Sequence, residues 1–210
     1  MPHSPKLRNK SFCFLSSILI GTTCVLSTAV KFNPLQSLEN SSVKAETIPV
    51  KASSPWSQAS FPVENFQAYT SGFGYRIHPV TGKRSFHSGL DLAAPLGSYV
   101  RNWWAGQVIS LSDHTACGTM ITIKSGSWTH TYCHLIGTVE NTPNGLALVD
   151  RKGGIILYQG QSVPAGARIG RVGMTGRTTG PHLHWTLKYN GKYIDPAQVL
   201  RQMFAKRVSS

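Results

Sequence analysis

The sequence predicts an all-β fold, a single antiparallel domain of short strands running from about Phe61 to the C-terminus. Three observations predict it. From Phe61 onward, short β-branched and aromatic runs are punctuated by Gly and Pro, the pattern of strands joined by tight turns. Over His182 to Leu187 the side chains alternate, so His182 and His184 share one strand face while Leu183, Trp185 and Leu187 share the core-facing one. Past the leader, helical periodicity is confined to Pro196–Ala205.

Before the domain, Lys6, Arg8 and Lys10 precede a mostly apolar run from Phe12 to Val30, the layout of a secretory signal. That run is also long enough to span a bilayer. Residues 1–30 therefore read as a signal peptide or as a signal anchor held in the membrane through residues 12–30, and both readings stay open. Val43-Lys44-Ala45 is a cleavage candidate far downstream, and Gly21-Thr22-Thr23 before Cys24 fits lipidation poorly. Either way the chain is expected to be exported to the cell envelope, with its C-terminus outside. Residues 31–60, rich in Ser, Pro and Gln, read as a flexible linker, and residues 61–210 as the folded domain.

Within the domain, Thr70 to Arg84 carries turn chemistry at Gly72, Gly74, Pro79 and Gly82. Tyr99 to Leu111 reads as one strand centred on Val108 and Ile109. Thr119–Lys124 and Thr129–Leu135 flank Ser125-Gly126-Ser127 as a hairpin. Cys117 and Cys133 lie on its opposite arms, about equally far from the turn, which in an exported protein predicts a cross-strand disulfide. Ile155–Tyr158, Arg168–Val172 and Leu183–Tyr189 complete the strands.

The charge is lopsided. The 210 residues carry a formal +13, and from Trp56 onward 15 Lys and Arg face 6 Asp and Glu. Such a surface is drawn to anionic wall polymers or lipid headgroups. The positives are scattered and no nucleic-acid-binding motif accompanies them, so nucleic acid is not expected as a partner.

The chemistry concentrates in two short stretches, H-S-G-L-D from His87 to Asp91 and G-P-H-L-H-W from Gly180 to Trp185. The four-residue spacing of His87 and Asp91 aligns their side chains, and Gly89 between them favours strand or loop over helix. Two imidazoles and one carboxylate suit a catalytic zinc, leaving the fourth tetrahedral position for water.

S-G-F-G-Y-R-I-H-P-V-T-G, F-H-S-G-L-D-L-A-A-P-L-G, Y-C-H-L and V-G-M-T-G-R-T-T-G-P-H-L-H-W together resemble the lysostaphin-type zinc metalloendopeptidases that cut peptidoglycan cross-bridges. The likeness runs from about Ser71 to Pro196. It implies a compact antiparallel β-sheet domain of the duplicated hybrid motif kind, with a groove along one sheet and Zn2+ on its floor. It further implies that His87, Asp91 and His184 ligate the metal, while His134 and His182 are catalytic histidines that do not. The chemistry agrees, because five ligands would quench the Lewis acidity of a hydrolytic zinc, whereas two free imidazoles can move protons and stabilise an oxyanion. Metalation needs neutral imidazoles, so activity is expected to fall in acid.

The implied function is an exported zinc endopeptidase acting on the peptide stems of peptidoglycan. The alternative is a catalytically silent envelope regulator that activates other wall hydrolases, which normally requires a missing ligand. His78 reads as structural or groove-lining, His114 and His130 as surface or core residues without a chemical role, and Tyr75, Arg76 and Thr178 as turn-stabilising or substrate-contacting. Two departures from the family pattern stand out. At Trp103-Trp104 one ring is expected in the core and the other against the groove. An insertion over residues 137–163 could edge the cleft, close it as a lid, or add a plain hairpin from Leu146 to Tyr158.

Overall fold

The computed structural model describes residues 58–77 and 82–207. These belong to the second of two compact units, Val43–Ser210. The leader, most of the linker and His78 lie outside the described residues, as does the whole of the first unit. No helix among the described residues is long and apolar enough to cross a membrane.

In chain order the strands are β1 (Ala68–Ser71), β2 (Gly74–Ile77), β3 (Arg84–His87), β4 (Leu90–Ala93), β5 (Tyr99–Arg101), β6 (Gly106–Thr115), β7 (Gly118–Ser125) and β8 (Trp128–Leu135). They continue with β9 (Thr138–Thr142), β10 (Gly145–Asp150), β11 (Ile155–Tyr158), β12 (Ser162–Val163), β13 (Arg168–Arg171), β14 (His182–Tyr189) and β15 (Lys192–Ile194), followed by helix α1 (Pro196–Arg207). The all-β expectation holds. One large sheet runs in the order β1-β4-β14-β8-β7-β6-β12, and every pairing in it is antiparallel. β15 extends the β4 side of β14, pairing with its second half.

The alternation in β14 does what its sequence dictates. Leu183, Trp185 and Leu187 are fully buried, while His182 and His184 face the other way and are partly exposed. The core they enter includes Leu92, Val100, Trp103, Ile121, Ile123, Tyr132 and Ile169. α1 closes one side of it with Val199, Leu200 and Met203. Its start is encoded locally, since Pro196 suits the first helical position and the Asp195 carboxylate accepts from the Ala197 N–H at 2.9 Å. The fold already includes Ala59, which is 1% exposed, and Ser60, whose N–H donates to the Trp103 carbonyl. Packed structure thus begins inside the stretch that reads as linker.

The single strand expected from Tyr99 to Leu111 is broken at Asn102–Ala105. The Asn102 side chain, wholly buried, donates to the carbonyls of Val163 and Pro164, and the Trp103 N–H donates to Tyr132 Oη at 2.7 Å. These bonds satisfy the backbone outside a ladder and drive Trp103 into the core. Trp104 packs at the core edge and does not line the cleft described below. Tyr132 Oη passes the chain on to His130 Nδ1, and His130 Nε2–H to Ser125 Oγ, each at 2.8 Å. Burial pushes the His130 imidazole down to about 3, so it is a neutral core residue.

The disulfide Cys117–Cys133 is present, but it does not bridge the hairpin ladder. The β7–β8 register shifts between Thr119 and Ile121, leaving Cys133 and His134 together opposite Met120. Cys117 lies in the β6–β7 turn, where Gly118 at φ +62° swings it over to Cys133.

The insertion forms a three-stranded sheet, β11-β10-β9, and its β10–β11 hairpin pairs Ala147 with Tyr158. It buries Leu148, Ile155 and Leu157 in the main core, and none of its residues lines the cleft. Of the three readings of this segment, the added hairpin is the one found. Asp150 ties it to β13, accepting from Arg171 Nε and Nη2 at 2.6 and 2.7 Å and from the Gly153 N–H at 3.1 Å. The Arg171 hydrogen bonds outweigh burial and hold the Asp150 carboxyl below its ordinary value.

Asp150→Asn should therefore leave the Arg171 guanidinium unpaired and lower the unfolding free energy by about 3 kcal/mol at neutral pH. Because the folded-state pKa is depressed, this contribution is present above the unfolded carboxyl value and is lost as pH falls through the folded one. Urea denaturation should show the gap between the two proteins closing in acid.

Candidate metal centre and active site

Two strands bring the donors together. β14 pairs with β4 so that His184 lies directly across from Asp91, and with β8 so that His184 lies directly across from Cys133. His87 reaches the same point from the end of β3. His87 Nε2 is 3.1 Å from Asp91 Oδ1 and 3.0 Å from His184 Nδ1, and His184 Nδ1 is 2.8 Å from Asp91 Oδ1. These three residues form the potential metal-binding group found among the described residues.

The second nitrogen of each imidazole is already committed. His87 Nδ1 donates to the Gly72 carbonyl at 2.7 Å, and His184 Nε2 to Thr186 Oγ1 at 3.1 Å. Outer partners of this kind fix the tautomer and aim the lone pair at a metal. Three acceptor atoms at such separations need positive charge among them, supplied by imidazole protons or by a cation. Burial would push the Asp91 carboxyl up, but hydrogen bonds from His184 and His87 override it and hold the group well below the usual carboxylate range. The donor set fits a divalent ion with nitrogen and oxygen preference, such as zinc.

His134 and His182 stand beside this triangle, their rings 4.9 Å apart between centroids. Each is held by its Nδ1, which donates to the Thr175 carbonyl in His134 and to the Gly180 carbonyl in His182, both at 2.8 Å. Both therefore leave Nε2 free, and His182 Nε2 lies 3.7 Å from Asp91 Oδ1. His134 reaches this face only because strand alternation fails there. It has φ +62°, rare for a residue with a side chain, at the bulge that puts both Cys133 and His134 opposite one residue of β7. Its backbone is fastened on both sides, the N–H to the Cys117 carbonyl and the carbonyl by the Gly173 N–H. Burial lowers the His134 pKa, with further lowering from His182 and His184, so the free ring is neutral at pH 7.

All five residues expected at the site line one cleft, together with Arg76, Phe86, Cys117, Arg177 and Thr178. Tyr75 instead stacks on Phe86 and Arg84. His114 is an exposed surface residue.

Residues 149–196 match peptidase family M23, a span that includes His182 and His184. The chain belongs to this family. The chain is 32% identical over 161 residues to the peptidoglycan DD-endopeptidase ShyA of Vibrio cholerae, covering 70% of this chain and 34% of that protein. It is 33% identical to the DD-carboxypeptidase/endopeptidase Mpg of Neisseria meningitidis, covering 62% of this chain and 26% of that one. Among solved structures it resembles a zinc-containing peptidase from Vibrio cholerae at 33% identity and TM-score 0.53, over 64% of this chain and 37% of that one. The catalytic domain of lysostaphin from Staphylococcus simulans shares the fold at 23% identity and TM-score 0.51, over 65% of this chain and 93% of that one. The chain spans between a quarter and about a third of the length of the curated relatives it matches.

Contributors of three kinds to the M23 site escaped the sequence reading. Thr186 had a signal, since it continues the alternation of His182 and His184 onto the same face. The Gly72 and Thr175 carbonyls had none, because any residue type can supply them. The third is the size limit at Gly89: a Cβ there would lie 2.5 Å from the Trp185 carbonyl and 2.8 Å from His184 Cε1. Gly89→Ala should therefore displace His184 and weaken zinc binding by about 10–100-fold, as loss of an outer-shell support does. Competition with a chromophoric chelator measures this, and unchanged affinity would refute the packing argument.

Proposed function

We propose that this M23 protein is an exported zinc endopeptidase that hydrolyses peptide cross-links of peptidoglycan. One observation carries the reading. A complete His87–Asp91–His184 donor triangle lies beside two imidazoles, His134 and His182, whose Nε2 atoms are left free. The relatives named for peptidoglycan DD-endopeptidase activity support the substrate. In this reading the hydrolase domain begins at about Ala59 and runs to residue 210, the residues from 31 up to it are a tether, and residues 1–30 are the export signal or, through residues 12–30, a membrane anchor.

His87 Nε2, Asp91 Oδ1 and His184 Nδ1 would hold the ion, and Gly72 and Thr186 keep both imidazoles in the ligating tautomer. Zinc, when bound, supplies a Lewis acid and an activated water. The protein's own part is proton handling. Of the two free Nε2 atoms, one takes the proton from the attacking water. The other, protonated, hydrogen-bonds the developing oxyanion or protonates the departing amine. Amide cleavage thus leaves a new carboxyl group and a new amine, with the water's atoms divided between them. The hydrogen bonds of their Nδ1 atoms to the Thr175 and Gly180 carbonyls orient both rings for this exchange. A silent regulator would need no such pair, and its usual mark, a lost ligand, is missing from this donor set.

The test is release of free amines from purified cell walls by the full chain. Chelation should abolish release and added zinc restore it. Asp91→Ala and His184→Ala should lose both zinc and activity, whereas His134→Ala should keep zinc while kcat falls by about 10²–10⁴-fold. Full hydrolysis in excess chelator would overturn the zinc reading. A zinc-loaded protein that releases no amine would favour the regulator.

A further inference from the structure

The cleft carries two guanidinium groups that the hydrolytic machinery does not use. Arg76 projects from β2, and Arg177 from the loop between β13 and β14. The surroundings of Arg177 differ from those of every other arginine whose side chain is described. Arg101 and Arg168 share Glu64, Arg151 pairs with Glu140, Arg171 with Asp150 and Arg201 with Asp195, while Arg84 lies over the Tyr75 ring. Arg177 is exposed, and among the described residues no carboxylate lies within ion-pair distance of its side chain. Its loop is nonetheless pinned, because the Arg177 N–H donates to the Ala116 carbonyl at 2.8 Å. Arg76 has a long ion pair, Nη2 to Asp91 Oδ2 at 4.0 Å, while its Nε is buried without a hydrogen-bond partner.

Among the described residues, Asp91 is the one carboxylate lining this cleft, and on the reading above its charge is committed to the metal. The cleft therefore presents two guanidiniums and, on that reading, a divalent cation against a single carboxylate among the described residues. A planar guanidinium matches a carboxylate in both geometry and charge, and a concave surface of one sign concentrates ligands of the other.

We propose that Arg177, assisted by Arg76, determines specificity by binding a free carboxylate of the substrate next to the amide to be cut. This rests on the peptidase reading and narrows its substrate. The amide favoured is one whose nitrogen sits on a carbon bearing a free carboxylate, as in a direct cross-link onto a diaminodicarboxylic acid. A cross-link onto a lysine side chain, or a bond inside a glycine bridge, has no charge there. An amidated diaminodicarboxylic acid has lost it.

The experiment compares kcat/KM of the zinc-loaded full chain on two cross-linked peptide dimers, identical except that the neighbouring carboxyl is free in one and amidated in the other. The native protein should prefer the free acid by about tenfold or more, the scale of one charge-assisted hydrogen bond. In Arg177→Gln that ratio should fall towards one, chiefly through KM, with bound zinc unchanged. Arg177→Lys should keep part of it. A native ratio near one overturns the proposal while leaving the peptidase reading intact, and so does a ratio that survives in Arg177→Gln. Should the glutamine variant fail to fold, the native ratio still decides. Hydrolysis of neither dimer overturns the peptidase reading itself.

Discussion

The register between β4 and β14 is the constraint on which the rest depends. Placing His184 directly across from Asp91 puts a nitrogen and a carboxylate oxygen 2.8 Å apart. Because side chains alternate along a strand, a slip of one residue would send both histidines of β14 into the core and Leu183 and Trp185 into the cleft. Core burial and site assembly are thus the same event. The fully buried Leu183, Trp185 and Leu187 hold the register, and the register holds the donors. Gly89 sets a tolerance on this arrangement, since the β3–β4 connection passes too close to Trp185 and His184 for any larger residue.

The second constraint is the bulge at His134. A regular β8 would point Cys133 at the cleft and His134 at the core. The positive φ of His134 breaks that alternation and delivers both to one face. The unfavourable backbone conformation is stabilised by three neighbours: the Cys117–Cys133 disulfide, the hydrogen bond to the Cys117 carbonyl and the one from Gly173. Strain of this kind is held only where surrounding structure over-determines it. The disulfide therefore belongs to the candidate site as much as to the fold, because it closes the β6–β7 turn over the strand that carries His134, the residue proposed to move a proton.

Much of this was legible in the chain. The alternation from His182 to Leu187, the turn residues and the aligned His87 and Asp91 are local patterns, and local patterns survive translation into structure. The resemblance supplied the division of five residues into three ligands and two free imidazoles, which spacing alone does not provide. What could not be read has a common physical cause. The break after Arg101, the bulge at His134 and the placing of Cys117 in a turn all depend on hydrogen bonds to residues far away in sequence. Tyr132 satisfies the Trp103 N–H, and Cys117 and Gly173 secure His134. That no described carboxylate pairs with Arg177 is invisible for the same reason, since such a state is defined by what surrounds the side chain in space. Within the insertion, apolar residues announced a hairpin, yet only the Asp150–Arg171 pair and the burial of Leu148 and Leu157 reveal that it builds core and not cleft.

X-ray absorption at the zinc edge, on the full chain loaded with one equivalent of zinc, tests the central claim most directly. It should show a shell of nitrogen and oxygen donors alone, at about 2.0–2.2 Å, with multiple scattering from two imidazoles. A sulfur ligand, a third or fourth imidazole, or failure to bind the ion would contradict the assignment of His87, Asp91 and His184 as the complete protein ligand set.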